Sequence, residues 1–202
     1  MKFITIGIVD YNVGNLTSVE KVLYKLGHRS RVSNNIKTLQ NTDLLILPGV
    51  GAFPYAIESL KEKGLFDFIL DWARKGKPVI GICLGMQILS DTSTEVKKSS
   101  GLSLIPGNVK KIKEGFWHIG WNSINSRKKD QILKKFNDGS LYFNHSYYFK
   151  TDPKFITSTF SLGPNSKKYT ASIKKDNIVG LQFHPEKSQI IGKELLNLIV
   201  LD

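Results

Sequence analysis

Cys83 is the only cysteine of the chain, and it stands between two glycines in Val79-Ile80-Gly81-Ile82-Cys83-Leu84-Gly85-Met86-Gln87. Gly-x-nucleophile-x-Gly after an apolar run is the sequence form of a strained strand-to-helix turn that lifts one side chain clear of a sheet. Side chains larger than hydrogen at Gly81 and Gly85 would collide in such a turn. A helix beginning at Leu84 would point its positive end at the sulfur and favour thiolate. Against this, a lone cysteine in an apolar stretch is most often an inert core residue. Partners elsewhere in the chain therefore decide the matter.

One partner stands in Gly180-Leu181-Gln182-Phe183-His184-Pro185-Glu186-Lys187-Ser188. Pro185 pushes His184 toward an extended conformation, in which residues two apart project to the same side, so Glu186 reaches the His184 ring. A His beside a Glu is commonly no more than a surface pair. Next to an elbow cysteine it completes nucleophile, base and orienting carboxylate, which is the apparatus of covalent acyl chemistry. A third segment, Leu47-Pro48-Gly49-Val50-Gly51-Ala52-Phe53, follows an apolar strand and falls on the same sheet edge. Glycines flanking Val50 let a backbone N–H turn into a pocket, so the amides of Val50 and Gly51 with that of Leu84 make an oxyanion hole. The bland reading is a plain loop, and no phosphate-binding glycine fingerprint is present.

These segments need elements to hold them. Phe3 to Val9 reads as a first strand, followed by a polar turn and a helix with Leu16, Val19, Leu23 and Leu26 on one face. Gly27 ends that helix, and Leu44 to Leu47 is a short apolar run of the kind buried on both faces of a sheet. A helix with Pro54 near its start, another around Phe66 to Ala73 and the run Val79 to Ile82 continue the alternation. That pattern predicts a doubly wound, flavodoxin-like α/β fold: a twisted, mostly parallel sheet flanked by helices. From about Leu104 the segments shorten to Asn108 to Ile112, Leu141 to Phe149, Phe155 to Phe160, Lys168 to Ile173 and Ile178 to Phe183, which predict additional antiparallel strands. Ile191, Leu195, Leu198 and Ile199 mark a closing helix. The polar stretches Ser93 to Gly101 and Asn125 to Asp130 read as loops too short to separate domains, so residues 1–202 read as a single domain.

With 202 residues, 41% of them hydrophobic and 23% charged, the chain has an ordinary globular composition. No apolar run is long enough to span a bilayer, and Met1 to Asp10 is too short and strand-like for a signal peptide. One cysteine allows no internal disulfide, which suits a reducing cytoplasm. The 29 Lys and Arg against 17 Asp and Glu give a formal charge of +12. The basic residues are scattered pairs, including Lys97-Lys98, Lys128-Lys129 and Lys174-Lys175, with few arginines to read bases. A lysine-rich solvated surface with a docking face for an acidic partner or a phosphorylated substrate fits better than nucleic-acid binding. The four histidines are far apart in sequence and have no further cysteines beside them, so neither a metal nor another cofactor is expected.

Taken in order along nearly the whole chain, the motifs resemble the class I glutamine amidotransferases, and among them the glutaminase subunits of imidazole glycerol phosphate synthase. The resemblance rests on Asp10-Tyr11-Asn12-Val13-Gly14-Asn15-Leu16, Pro48 to Gly51, Gly81 to Gln87, Gly101 to Gly107, His118-Ile119-Gly120-Trp121-Asn122, Tyr142 to Tyr147 and Gln182 to Ser188. It implies Cys83, His184 and Glu186 as a triad, and Gln87, Gly51, His145, Ser146 and Tyr147 as the lining of a glutamine pocket. It also places Asn15, Trp121, Tyr142 and Lys187 near a face that docks a cyclase subunit consuming the ammonia. Trp121 and Tyr142 read equally well as packing aromatics. Asn12 stands where the family usually has glycine, and Trp117 where a proline commonly precedes the His-x-Gly-Trp-Asn segment. Trp117 opens the reading of a paralogue that feeds ammonia to amidation of a surface-polysaccharide sugar. From another class comes a non-catalytic basic binding module with a vestigial elbow, although every triad position is filled. The expected reaction is hydrolysis of L-glutamine to L-glutamate and ammonia in the cytoplasm, within a heterodimer, with no nucleic acid or membrane as partner.

Overall fold

The computed structural model describes residues 4–112, 117–127, 130–137 and 139–202. Phe3 of the anticipated first strand and the Lys128-Lys129 pair lie outside the described residues. In chain order the first half runs β1 (Thr5–Val9), α1 (Leu16–Lys25), β2 (Arg29–Ser33), α2 (Ile36–Leu39), β3 (Leu44–Leu47), α3 (Phe53–Glu62), α4 (Leu65–Arg74), β4 (Val79–Ile82) and α5 (Leu84–Gln87). Helix α1 ends as its glycine required. Gly27 takes φ 82°, its N–H donates to the Tyr24 carbonyl and the His28 N–H to that of Leu23, which satisfies the last orphan carbonyls. Strand β2 escaped the sequence reading because Arg-Ser-Arg-Val-Ser has no apolar run, as befits an edge strand.

The second half runs β5 (Thr92–Ser93), β6 (Ser99–Ser100), β7 (Asn108–Lys111), β8 (His118–Asn122), β9 (Asn125–Ser126), β10 (Leu141–His145), β11 (Tyr147–Lys150), β12 (Ile156–Leu162), β13 (Lys167–Lys175), β14 (Ile178–Leu181) and α6 (Gln189–Leu201). An eight-stranded sheet has the order β2-β1-β3-β4-β14-β13-β12-β9, parallel from β2 to β14 and antiparallel beyond. Strands β10 and β8 form a separate antiparallel pair, and β11-β7-β5-β6 form a third sheet.

Two expectations are corrected here. The second half is not wholly antiparallel, because β14 pairs parallel with β4 in the register Gly180 to Gly81 and Leu181 to Ile82. The stretch from Leu141 to Phe149 is two strands that break at Ser146 and join different sheets.

Alternation along the buried strands divides the core. Ile6, Ile8, Leu44, Ile46, Ile80 and Ile82 pack with α1 and α6, while Leu45, Leu47 and Val79 pack with α3 and α4 on the other side. Helices on both faces are what a parallel sheet requires. Among the described residues, no helix is long and apolar enough to cross a membrane and no cluster of acidic, histidine or cysteine side chains is arranged to hold a metal ion.

Candidate active site

Strand β4 is buried throughout, and the chain leaves it at Cys83 with φ 54° and ψ −106°, a positive φ that costs a non-glycine residue about 1–3 kcal/mol. The turn persists because no side chain fits on either flank. A Cβ on Gly85 would lie 1.7 Å from the Leu47 carbonyl oxygen, and one on Gly81 would lie 2.4 Å from that of Gly85. The Cys83 N–H donates to the Leu181 carbonyl at 2.7 Å, so the elbow is tied directly to β14. Helix α5 is a single turn, so the dipole expected behind the sulfur shrinks to the amides of that turn.

Leaving β14, the backbone passes Gln182 and Phe183 to His184, whose N–H donates to the Tyr142 carbonyl at 2.8 Å. His184 is extended, but Pro185–Lys187 forms a 3₁₀ turn rather than a continued strand. That turn brings Glu186 Oε1 to 2.8 Å from His184 Nδ1. The pairing read from the sequence is present, made by a turn instead of strand alternation. Ser188 closes the turn, its hydroxyl donating to the His184 carbonyl at 2.6 Å and accepting the Tyr142 N–H at 2.9 Å.

His184 is 1% exposed, and its Nε2 has no hydrogen-bond partner among the described residues. Burial by itself lowers the ring's pKa. The adjacent Cys83 sulfur, then Glu186, outweighs it and lifts the imidazole to about 10, so the ring holds its proton at neutral pH.

The segment after β3 lies where the sequence put it. Buried Tyr11 donates its hydroxyl to the Pro48 carbonyl, which ties the turn after β1 to this loop. Burial, reinforced by Cys83, raises the Tyr11 pKa, so the phenol keeps the proton that it donates. Gly51 has φ 124°, Val50 is exposed, and the Leu84 amide, first of its helix, lacks an intrahelical acceptor. Glu95, from the loop between β5 and β6, accepts the Phe53 N–H at 2.8 Å at the end of the same segment.

Gln87 is buried, its amide donating to the Tyr147 carbonyl at 3.0 Å and to Gln182 Oε1 at 3.3 Å. Both ring nitrogens of His145 are engaged, Nδ1 with the Tyr147 carbonyl at 2.7 Å and Nε2 with His118 Nδ1 at 3.1 Å. A side chain so occupied leaves the backbone from His145 to Tyr147, with Ser146 half-buried between, as the surface a ligand would meet. Three residues around the site carry roles that the sequence reading did not assign: Tyr11, His118 and Gln182. Gln182 had a signal, since it precedes His184 by two positions in an extended segment.

Beside the triad, Trp121 and Tyr142 meet edge to face at 5.6 Å, the Lys187 ammonium lies 5.8 Å from the Tyr142 ring centre, and Tyr142 lies 6.4 Å from the His184 ring. Asn15 stands at the N-cap position of α1 without a side-chain capping hydrogen bond, and α1 packs against the Pro185–Lys187 turn. Trp117, Ile119 and Trp121 are exposed at alternate positions along one face of β8, forming an apolar stripe. Asn12 has φ 63°, a left-handed conformation that asparagine tolerates, so its replacement of glycine is accommodated.

A buried cysteine beside a protonated histidine, with a carboxylate behind the ring and free amides nearby, is suited to attack on a carbonyl carbon and release of an amine. Comparison with known proteins agrees. The family described as glutamine amidotransferase class-I matches residues 7–201. Imidazole glycerol phosphate synthase subunit HisH of Carboxydothermus hydrogenoformans is 40% identical over 94% of this chain and 95% of that protein. The subunit of the same name from Halalkalibacterium halodurans is 43% identical over 95% and 92%. Among solved structures, a glutamine amidotransferase superposes with a TM-score of 0.77 at 16% identity over 97% of both chains. Thermotoga maritima PurLQS gives 0.77 at 20% identity over 99% of both. At those identities the likeness is one of fold.

Proposed function

The chain belongs to the class-I glutamine amidotransferase family, and we propose that within it the chain is the glutamine-hydrolysing subunit of imidazole glycerol phosphate synthase. Identity of 40% and 43% over nearly the full length to subunits of that synthase supports the histidine-pathway assignment over the sugar-amidating paralogue. Residues 1–202 act as one domain, in the cytoplasm, paired with the cyclase subunit that takes up the ammonia.

The observation that carries the chemistry is the convergence of Cys83, His184 and Glu186 where β4 and β14 run side by side. Cys83, as thiolate, attacks the side-chain amide carbon of glutamine, and the C=O electrons move onto oxygen. The amides of Gly51 or Val50 with that of Leu84 receive the oxyanion. His184 gives its proton to the departing nitrogen, releasing ammonia and leaving a thioester. Water then attacks the thioester carbon while His184 takes its proton, and glutamate leaves as the thiolate re-forms. Glu186 keeps the ring oriented and stabilises its charge. Gln87, Gly51 and the backbone from His145 to Tyr147 line the glutamine pocket. The apolar stripe of β8, with Tyr142, Lys187 and Asn15, docks the synthase, whose cover prevents loss of ammonia to water.

The test is reconstitution with the cyclase subunit. Cys83→Ala abolishes glutamine-dependent synthesis and preserves synthesis from added ammonium. Glutaminase activity retained in Cys83→Ala overturns the mechanism. Faster glutamine turnover with a sugar-amidating synthase than with the cyclase overturns the pathway.

A further inference from the structure

Gln182 is fully buried, and its amide nitrogen lies 3.8 Å from the Cys83 sulfur, within reach of that large acceptor. We propose that Gln182 is a dedicated donor to the Cys83 thiolate, and that the Tyr147 carbonyl, acting through Gln87, fixes its amide in that orientation.

The direction of these bonds follows from one atom. The Tyr147 carbonyl only accepts, so the groups on it, His145 Nδ1 at 2.7 Å and Gln87 Nε2 at 3.0 Å, both donate. His145 carrying its proton on Nδ1, and neutral, must accept at Nε2. His118 Nδ1, 3.1 Å away, is therefore the donor, and His118 Nε2 in turn accepts from Asn122 at 3.1 Å. The second Asn122 amide hydrogen goes to the Ser161 carbonyl at 2.9 Å, leaving its amide nitrogen no freedom. Toward the nucleophile, Gln87 has Nε2 on the carbonyl and so presents an N–H to Gln182 Oε1 at 3.3 Å. With its oxygen held there, Gln182 has only its NH2 to offer Cys83.

The two histidines form a second branch that converges on the same carbonyl, and their surroundings keep both rings neutral. Burial lowers His118 to about 4. For His145, burial, then His118 and His184 outweigh the Tyr147 carbonyl and lower it to about 3. His118 packs against both Phe143 and Phe160, each with ring centres 4.3 Å away, and those two rings lie 5.0 Å from each other. The consequence concerns the sulfur. As a thiol it donates toward the Asn144 carbonyl at 3.8 Å; as a thiolate it can only accept, and Gln182 is the side-chain amide placed to give. The carbonyl favours the thiol and the fixed amide the thiolate.

The proposal takes its catalytic meaning from Cys83 as nucleophile, but its test needs neither glutamine nor the partner. Cys83 is the only cysteine, so iodoacetamide labelling of the whole chain reports one site, and its rate against pH reads the thiolate. Gln182→Met keeps the size and removes the donor. The midpoint of the labelling profile moves up by about one pH unit, with roughly tenfold slower labelling at pH values well below the parent's midpoint. Gln87→Met, which removes the donor that holds Gln182 Oε1, moves it in the same direction. Should Gln182→Met lose its near-ultraviolet dichroism, the near-isosteric Gln182→Glu decides instead and is expected to shift the profile further. An unchanged profile in the folded Gln182 variant overturns the donor role. A shift there with none in Gln87→Met overturns the orienting role of Gln87. Normal labelling of the parent with no glutaminase activity beside the synthase would defeat the proposed function alone.

Discussion

His184 is under two opposing influences, burial that disfavours its charge and two neighbours that favour it, and the neighbours win by raising the ring to about 10. A ring that starts protonated is set to act first as an acid, toward the leaving amine, and only then as a base. Glu186→Gln keeps the hydrogen-bond geometry and removes the charge. Its kcat for glutamine hydrolysis in the complex should fall by about 10²-fold or more with KM little changed, measured by steady-state kinetics. His118 and His145 have the opposite setting. Their folded pKa values, about 4 and about 3, lie below the ordinary 6.5, so the unfolded chain binds protons first as pH falls. Their contribution is complete above pH 6.5 and is lost as pH drops toward those values. The urea midpoint should therefore decline between pH 6.5 and 4, and less steeply in His118→Phe; parallel profiles for parent and variant would contradict this.

The elbow works as an element because two strands approach without side chains between them. Gly85→Ala forces a methyl onto the Leu47 carbonyl at 1.7 Å, backbone that cannot swing away. A loss of about 3 kcal/mol in unfolding free energy is expected, checked by chemical denaturation. The glycines were legible in the sequence because the steric requirement is local. The parallel pairing of β14 with β4 was not, since Ile-Val-Gly-Leu reads the same in either orientation and only the neighbouring strands settle it. The split at Ser146 was hidden for a similar reason: Leu141 to Lys150 alternates well enough to be one strand until two sheets compete for it. His184 and Glu186 were paired correctly from their spacing, although a 3₁₀ turn does what the sequence assigned to an extended segment.

At the scale of the whole molecule, Trp117, Ile119 and Trp121 expose 72%, 62% and 48% of their surface in one row, which Trp121 joins to the triad through Tyr142. Large apolar groups so aligned are characteristic of a surface covered by a partner. Ile119→Asp places a charge in that row and should raise the dissociation constant of the complex with the cyclase subunit by at least tenfold, measured by calorimetric titration. Binding as tight as the parent's would remove β8 from the docking face. The charge of +12 shows no comparable organisation in the sequence, where basic residues come in scattered pairs. By itself the sequence determined the alternation of strands and helices, the elbow with its glycines, the cysteine and the histidine-glutamate pair, because each is set by neighbours within a few residues. Tertiary structure alone decided that β14 lies against β4, that Tyr11 holds the Pro48 carbonyl, and that the branch Asn122-His118-His145 and the side chain of Gln87, which also holds Gln182, converge on the Tyr147 carbonyl. Hydrogen-bond direction is a property of atoms brought together from distant strands, and it has no periodicity for a sequence to display.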